Sequence, residues 1–363
     1  MKILYVDLER EWRGGQSQAL LTLRGLKDKG QHVELLAAHR APLAERSRTA
    51  GIIVHSVPRL GLRAWAANKL HGLVSGSKFD LVHLNEPHAL AAAWLAKSHH
   101  KLPLLFSRRI GFPLKKNRVS QALYRAVECF VANSRDVAQS LVDSGISEER
   151  ISIVNEGVEI APLPTSEHRA KARKHWGIKD DEFVFGCVSV FVPEKGQRHL
   201  IEAFPKVRAI HPEARLFLAG DGECRQELET LAKHLSQQDA VYFPGFVRNV
   251  DEVYAGLDAF TFPSEFEGLG TALQTAMAAA IPSISTARGA LGEVVDDQRT
   301  ALVVEPNAGE FAEAMLRLIE DAELRSKLGQ AAREEIIARF SSDSMVANTM
   351  RVYEEVLSKR AEG

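Results

Sequence analysis

Short apolar runs alternate with longer amphipathic segments along the chain. Lys2–Val6 is apolar after its first residue, and Gln16–Lys29 has leucines about three residues apart, as on one face of a helix. Further apolar runs lie at Val33–Ala37, Leu81–Leu84, Leu104–Phe106, Phe130–Ala132 and Ile151–Val154. Continuous apolar strands separated by helices predict a parallel sheet that is covered on both faces.

The same alternation begins again after a stretch, 160–168, that holds two prolines and several polar residues and is typical of a linker. The second set of apolar runs lies at Phe183–Val188, Arg215–Ala219, Val241–Phe243, Ala259–Phe262, Ile281–Ser285 and Leu302–Val304. From Ala312 to Lys359 the pattern is almost entirely helical. We therefore expect two doubly wound α/β domains, 1–162 and 163–341, a central cleft between the carboxyl ends of their sheets, and a C-terminal helix over 342–363.

Composition and charge exclude several classes of protein. The length of 363 residues suits about two domains. With 46 basic and 47 acidic residues, no nucleic-acid partner is expected. Three distant cysteines predict neither a disulfide framework nor a zinc site. No apolar run reaches the roughly 18 residues of a membrane span and the first residues do not resemble a signal peptide, so we expect a cytoplasmic protein.

One candidate phosphate site lies between the first strand and the first helix. Gly14 and Gly15 allow the backbone to approach a ligand, and the helix that follows directs free N–H groups towards it. An ordinary turn between strand and helix is the alternative interpretation. The glycine fingerprint of dinucleotide-binding proteins is absent after this strand.

Three more candidate motifs follow strands of the second half. Lys195, in a Pro-Glu-Lys-Gly turn, can neutralise a phosphate, and Gly220 with Asp221 can admit a ligand close to the backbone. Glu267 stands before a Gly-x-Gly helix entrance, where a carboxylate can accept hydrogen bonds from sugar hydroxyls. A capped turn, a plain loop and a helix N-cap are the respective alternatives. Together the four motifs predict a nucleoside-diphosphate ligand.

These motifs, in this order, resemble the retaining GT-B glycosyltransferases of family 4 (glycosyl transferases group 1). The resemblance is densest from 186 to 304, in the segments PEKG, LAGDGE, FPGFVRNV and FPSEFEGLG. It implies two Rossmann-like domains, with the C-terminal helix crossing back onto the N-terminal domain. It also implies sugar transfer from a nucleotide sugar to an acceptor with retention of configuration, and with neither a metal nor another cofactor.

The resemblance also implies roles for individual residues. Gly14, Gly15 and Lys195 would bind the donor phosphates, and Glu267 would hold the donor sugar. Gly245, Phe246 and Arg248 would contact the base, and the backbone of Gly268, Leu269, Gly270, Thr271 and Ala272 would hold donor hydroxyls and phosphate. Gly220, Asp221 and Thr275 complete the candidate donor-binding residues.

Three positions depart from the family's pattern. Thr275 stands eight residues after Glu267, where the family has a second acid, and Val190 stands where the family often has an arginine. Arg109 falls where a histidine is common. With Arg108 it can bring positive charge to the cleft, so that Arg109 is counted with the catalytic candidates, a surface salt bridge being the alternative. The losses also leave room for a relative that binds nucleotide sugar without transfer.

Two regions are candidates for acceptor binding. His83, Glu86 and His88 are expected on the loop after the strand Leu81–Leu84, where with Arg108 they would contact the acceptor. The basic and apolar segment 108–118 suits an anionic or lipid-linked acceptor and a peripheral contact with the inner face of a membrane. A solvated mobile loop is the alternative.

The expected function is glycosyl transfer to a glycan or lipid-linked acceptor in bacterial cell-envelope or lipopolysaccharide biosynthesis. A UDP-sugar is the first expected donor, with GDP- and ADP-sugars open, and a monomer is the default. A sugar phosphorylase or an epimerase with the same fold remains a further alternative.

Overall fold

The computed structural model describes residues 1–58, 61–76 and 78–362. Its internal contacts divide the chain into two units. The first unit contains Met1–Gly157 together with the C-terminal helix, and the second contains Val158–Ser341. Gly363, the last residue of the expected C-terminal segment, lies outside the described residues.

A fully parallel sheet forms the centre of the first unit. Its strands are β1 (Lys2–Asp7), β2 (His32–Ala38), β3 (Ile53–Val57), β4 (Leu81–Leu84), β5 (Leu104–Arg108), β6 (Cys129–Ala132) and β7 (Ile151–Ile153). Their order is β3-β2-β1-β4-β5-β6-β7. The direction of winding reverses between β1 and β4, so the loops that follow these two strands lie side by side at the carboxyl edge.

Both faces of this sheet are covered by helices, which explains the continuous apolar runs. The helices are α1 (Gly14–Asp28), α2 (Pro42–Thr49), α3 (Leu62–Gly76), α4 (Pro87–Leu95), α5 (Arg118–Arg125) and α6 (Arg135–Asp143). Along β1, Leu4 and Val6 join one buried cluster, and Ile3 and Tyr5 join another. β3 was not among the expected strands, because its edge position leaves Ile53 exposed and its sequence is not continuously apolar.

The second unit repeats the architecture. Its strands are β8 (Phe183–Val188), β9 (Ala214–Ala219), β10 (Val241–Gly245), β11 (Ala259–Phe262), β12 (Ser283–Ser285) and β13 (Leu302–Val303), in the order β10-β9-β8-β11-β12-β13. Its helices are α7 (Ser166–His175), α8 (Gln197–Ile210), α9 (Arg225–His234), α10 (Val250–Gly256), α11 (Thr271–Ala278), α12 (Ala308–Glu320) and α13 (Ala322–Arg339). The winding reverses between β8 and β11. The prediction of two doubly wound parallel sheets is confirmed.

The last helix, α14 (Ser342–Glu362), packs on the first unit. A Cβ atom at Gly25 of α1 would lie 2.3 Å from Cγ2 of Val346, so glycine is needed for the two helices to approach. The hydroxyl of Tyr353 lies 2.5 Å from Nδ1 of His83 in β4. The C-terminal helix therefore returns to the N-terminal part of the chain, as expected. Within the described ranges, no helix is both long and apolar enough to cross a bilayer.

Candidate active site

Lys195 and Glu267 meet in the second unit, at the point where the winding of its sheet reverses. Lys195 ends the loop after β8, and Glu267 lies in the loop after β11. Nζ of Lys195 lies 2.5 Å from Oε2 of Glu267, and each side chain is only 17% exposed. The hydroxyl of Ser264 donates to the same carboxylate oxygen at 3.3 Å. The structure thus joins two residues that are 72 positions apart.

The two loops are held together by their backbones. Gly196 has a φ of +66°, and a Cβ atom there would lie 2.2 Å from the carbonyl oxygen of Pro263. The amide of Glu265 donates to the carbonyl oxygen of Glu194 at 2.8 Å. Glycine is therefore required at 196 by close packing, and this packing sets the position of Lys195.

The carboxylate of Glu267 also stands at the entrance to α11. Its Oε1 accepts a hydrogen bond from the amide of Gly268 at 3.2 Å. Gly270 precedes the helix in a left-handed conformation and supplies no side-chain cap, so the first amides of α11, from Thr271 and Ala272 onwards, have no partner within the helix. The side chain of Leu269 is part of the buried core, which leaves its backbone for the expected contact with the donor.

A cavity of about 320 Å³ lies beside these loops in the second unit. Its lining includes Gly220, Asp221, Val190 and Phe246, of which Phe246 is 76% exposed. An exposed aromatic face of this kind can stack on a nucleobase. The fold itself requires glycine at position 220, because φ is +150° there and a Cβ atom would lie 1.8 Å from the carbonyl oxygen of Ser189.

The other predicted donor-binding residues differ in which polar groups remain available to a ligand. Asp221 accepts the amide of Gly222 at 2.8 Å, so one of its oxygens stabilises its own loop. Gly245 needs glycine for its φ of +80°, and Arg248 is exposed. The hydroxyl of Thr275 donates to the carbonyl oxygen of Thr271 at 2.8 Å, within α11, and so is left only as an acceptor.

In the first unit, Gly14 and Gly15 are not in a loop but form the first turn of α1. The expected start at Gln16 was two residues late, because glycine is a weak helix former. Arg13 precedes the helix without a side-chain cap. A Cβ atom at Gly14 would meet nothing within 4 Å, and one at Gly15 would meet only Cδ of Arg109, at 4.0 Å. Neither the backbone nor the packing requires glycine at position 14.

A buried polar network, which the sequence reasoning missed, supports this helix turn. Oδ2 of Asp7 accepts from the side-chain amides of Gln16 at 3.0 Å and of Asn85 at 2.6 Å. The amide of Asn85 also reaches the carbonyl oxygen of Gly15 at 3.3 Å. Burial raises the pKa of Asp7. The sequence did contain an indication of this network. Asp7 ends β1 and Asn85 directly follows β4, so both residues lie where the winding of the sheet reverses.

Arg109 lies in the same network. Its Nε forms an ion pair with Glu156 at 3.0 Å, and one terminal nitrogen donates to the carbonyl oxygen of Asn85 at 3.2 Å. Arg109 thus forms a salt bridge, as the alternative interpretation expects, but the pair is largely buried and does not lie on the surface. A role of Arg109 in catalysis stays a prediction. Arg108 instead donates to the carbonyl oxygen of Phe112 at 2.6 Å, and burial lowers its pKa.

His83 corrects the expectation about the acceptor. It lies within β4, not on the loop after it, and is 2% exposed. Its Nδ1 contacts the hydroxyl of Tyr353, and its Nε2 contacts the hydroxyl of Ser107 at 2.7 Å. Burial, aided by the charge of Arg109, lowers its pKa to about 3. A neutral, enclosed imidazole with both nitrogens engaged is a structural residue and has no access to an acceptor.

Glu86 and His88 do lie beyond β4. Glu86 caps α4, since its carboxylate accepts from the amides of Leu8 at 3.1 Å, of Ala89 at 2.7 Å and of His88. Burial raises the pKa of Glu86 to about 7. The imidazole of His88 is exposed, and its Nδ1 accepts from Nε of Arg63 at 3.1 Å.

Two further features concern the regions that the sequence singled out. In the segment 108–118, Ile110 and Phe112 are exposed beside the basic residues. Among the described residues, no three His, Cys, Asp or Glu side chains lie together as a metal site would need.

The chain matches two descriptions of protein families. Residues 168–335 match glycosyl transferases group 1, and residues 12–161 match glycosyltransferase family 4. An N-acetyl-alpha-D-glucosaminyl L-malate synthase of Bacillus anthracis is 31% identical over 315 residues, which cover 80% of this chain and 78% of that protein.

Two other proteins are similar to this chain, one in sequence and one in structure. An uncharacterized glycosyltransferase of Methanocaldococcus jannaschii is 28% identical over 212 residues, 57% of this chain, and the match spans only about half, 54%, of its length. The crystal structure of Anabaena HepE in complex with UDP and glucose has a TM-score of 0.83 at 20% identity, over 98% of this chain and 99% of HepE. That likeness concerns the fold.

Proposed function

Because the chain belongs to the family 4, group 1 glycosyltransferases, we propose that it transfers a sugar from a nucleotide sugar to an acceptor with retention of configuration and without a metal. The observation that carries the proposal is the contact between Lys195 and Glu267. A lysine and a carboxylate at the switch point of a parallel sheet, beside a cavity with an exposed aromatic ring, suit a charged donor.

The chemistry assigns a task to each group. The bond between the anomeric carbon and the diphosphate oxygen breaks through a transition state like that of glycoside hydrolysis, while the oxygen of an acceptor hydroxyl forms the new bond to the anomeric carbon. Negative charge grows on the departing nucleotide, whose phosphate oxygen takes up the proton that the acceptor hydroxyl loses. The ammonium group of Lys195 and the unpartnered amides of α11 stabilise that charge. The carboxylate of Glu267 accepts hydrogen bonds from the hydroxyls of the donor sugar. Gly14 and Gly15 offer the amides of α1 to an oxyanion.

The donor is proposed to be a UDP-sugar, in line with the UDP and glucose bound by HepE. Phe246 would stack on the base. The proposed acceptor is a glycan or lipid-linked sugar of a bacterial cell envelope, such as lipopolysaccharide. The exposed Ile110 and Phe112, set among basic residues in 108–118, would contact the inner face of the membrane.

Lys195→Ala is the test of this proposal. Loss of one aimed donor lowers turnover by about 10²–10³-fold. The matched control is Lys206→Ala on α8, because Lys206 forms an exposed ion pair with Glu313. Release of UDP, GDP or ADP from the corresponding nucleotide-glucose is measured in EDTA and again with Mg²⁺, and NMR determines the anomer released. Full activity of Lys195→Ala, or no binding of any nucleotide by the unchanged protein, contradicts the proposal.

A second candidate is a protein that binds nucleotide sugar without transfer. Val190 is apolar and 49% exposed in the cavity, and Thr275 offers no carboxylate to a ribose. Tight nucleotide binding with no release of sugar, from any of the three donors, would favour this candidate.

A further inference from the structure

An open cavity of about 780 Å³ lies at the carboxyl edge of the first sheet. Leu8, Glu9 and Arg10 line it from the loop after β1, the segment 61–64 lines it from the start of α3, and His88 lines it from the first turn of α4. β1 and β4 flank the reversal point of this sheet, which is where open parallel sheets bind ligands. The roles proposed above leave this cavity without a ligand.

Arg63 is held in a defined orientation in this cavity. Nε and one terminal nitrogen of its guanidinium group lie 3.1 and 2.7 Å from the same atom, Nδ1 of His88. Partial burial and then the charge of Arg63 lower the pKa of His88, which favours the neutral ring. A neutral ring that accepts at Nδ1 carries its proton on Nε2 and can donate from there.

The guanidinium group of Arg63 is planar and has five N–H donors, and the contact with His88 uses one side of it. The remaining donors of Arg63 are available for the paired oxygens of a carboxylate or phosphate, the geometry that guanidinium groups recognise best. A lysine in the same place would supply only a point charge.

The charges around the cavity favour an anion. Among the described residues that line it, Arg10 and Arg63 are basic and Glu9 is acidic. The carboxylate of Glu9 accepts the amide of Arg10 at 2.7 Å, which partly satisfies its hydrogen-bonding capacity. The amides at the start of α4 are already capped by Glu86, so the helix end itself is not the anion site.

We propose that this cavity binds an anionic group, a phosphate or a carboxylate carried by the acceptor, through Arg63 with Arg10 and His88. This inference rests on the proposed function, because it names the chemical class of the acceptor for that reaction. The inference is more specific than electrostatic attraction to a membrane, because it requires an oxyanion bound at one oriented guanidinium group.

Binding of small anions tests the inference. Calorimetry at low salt compares glucose 6-phosphate, malonate and neutral glucose, each in the presence of a saturating nucleotide so that other phosphate sites are filled. We expect glucose 6-phosphate or malonate to bind, and glucose to bind at least tenfold more weakly. The anion that binds identifies phosphate or carboxylate as the group recognised.

Three variants and one control locate the site. Arg63→Ala should weaken anion binding about tenfold or more, and Arg63→Lys should weaken it less, because the charge stays but the fork is lost. His88→Ala should also weaken it, since Arg63 loses its orienting partner. Arg351→Ala, on the exposed face of α14, should change nothing.

The nucleotide affinity of each variant separates the two proposals. If Arg63→Ala binds nucleotide normally and also binds the anion normally, the cavity is not the acceptor site and the proposed function stands. Equal binding of glucose and glucose 6-phosphate would overturn the inference in the same way. If no nucleotide binds to the unchanged protein, the proposed function fails instead.

Discussion

Glu267→Gln is expected to strengthen nucleotide binding while it reduces sugar transfer. In the structure the ammonium group of Lys195 is engaged by the carboxylate of Glu267 at 2.5 Å. A diphosphate that binds Lys195 has to compete with this carboxylate and is also repelled by its charge. Glutamine keeps the size and an acceptor oxygen but removes the charge, so the competition ends. Transfer falls because the sugar hydroxyls lose a charged acceptor.

The size of the effect follows from the burial of the pair. Exposed ion pairs contribute about 0–1 kcal/mol, and removing one partner of a buried pair costs about 3–5 kcal/mol. With both side chains 17% exposed, the pair lies between these limits, at about 1–2 kcal/mol. That interval corresponds to nucleotide binding that is about 5- to 30-fold tighter.

Calorimetric titration with the best-binding nucleotide measures this effect in four proteins: the unchanged chain, Glu267→Gln, Lys195→Ala and the double variant. Glu267→Gln should have little effect once Lys195 is absent, because the competition acts through that lysine. Glu265→Gln is the matched control, since Glu265 lies two residues away and pairs with His199 on the surface. Nucleotide binding at least tenfold weaker in Glu267→Gln would refute the reasoning and indicate that the carboxylate contacts the nucleotide itself.

Two other predictions concern the first unit. Gly14→Ala should retain or slightly raise thermal stability, because a Cβ atom there meets nothing within 4 Å, yet it should reduce transfer if a ligand approaches that backbone. Gly72→Ala, an equally open helical site, is the control in melting and transfer assays, and equal activity of both variants would count against a ligand at Gly14. Because the pKa of Glu86 rises from 4.5 to about 7 on burial, the folded unit binds this proton more tightly than the unfolded chain, so its stability should fall as the pH rises from 4.5 through 7. Urea unfolding at several pH values should show this slope in the unchanged protein and lose it in Glu86→Gln, and equal slopes would exclude a raised pKa.

The fold was predictable from the sequence wherever burial is nearly complete. β4, β8 and β11 begin and end at the expected residues, because each is a short, mostly apolar run whose side chains are largely buried. β3 escaped detection because an edge strand is only half covered and need not be apolar along its length. The start of α1 was misplaced because glycine has a low helix propensity, so two glycines do not indicate a helical turn.

The individual residues of the candidate site could be predicted from the sequence, but the contacts between them could not. Lys195 and Glu267 could be found because each follows a strand in a recognisable motif, and the reversal of the sheet brings such loops together. That they form an ion pair depends on the packing of Gly196 against Pro263, which no local pattern encodes. His83 was assigned to the loop although it lies inside the expected strand Leu81–Leu84. Its burial depends on Tyr353, which comes from the far end of the chain and which no local pattern indicates.

The glycines of the site separate what the fold needs from what a ligand needs. Gly196, Gly220 and Gly270 each have a positive φ and a neighbour that a Cβ atom would strike, so the chain itself explains them. Gly14 and Gly268 have neither, and a Cβ atom at each would enter open space. Openness alone does not mark a ligand site, because Gly72 in α3 is equally open. What distinguishes Gly14 is its place in the first turn of α1, where backbone amides have no partner within the helix. Gly14 opens α1, and Gly268 precedes the entrance to α11, so an oxyanion bound by the first amides of either helix is the expected ligand.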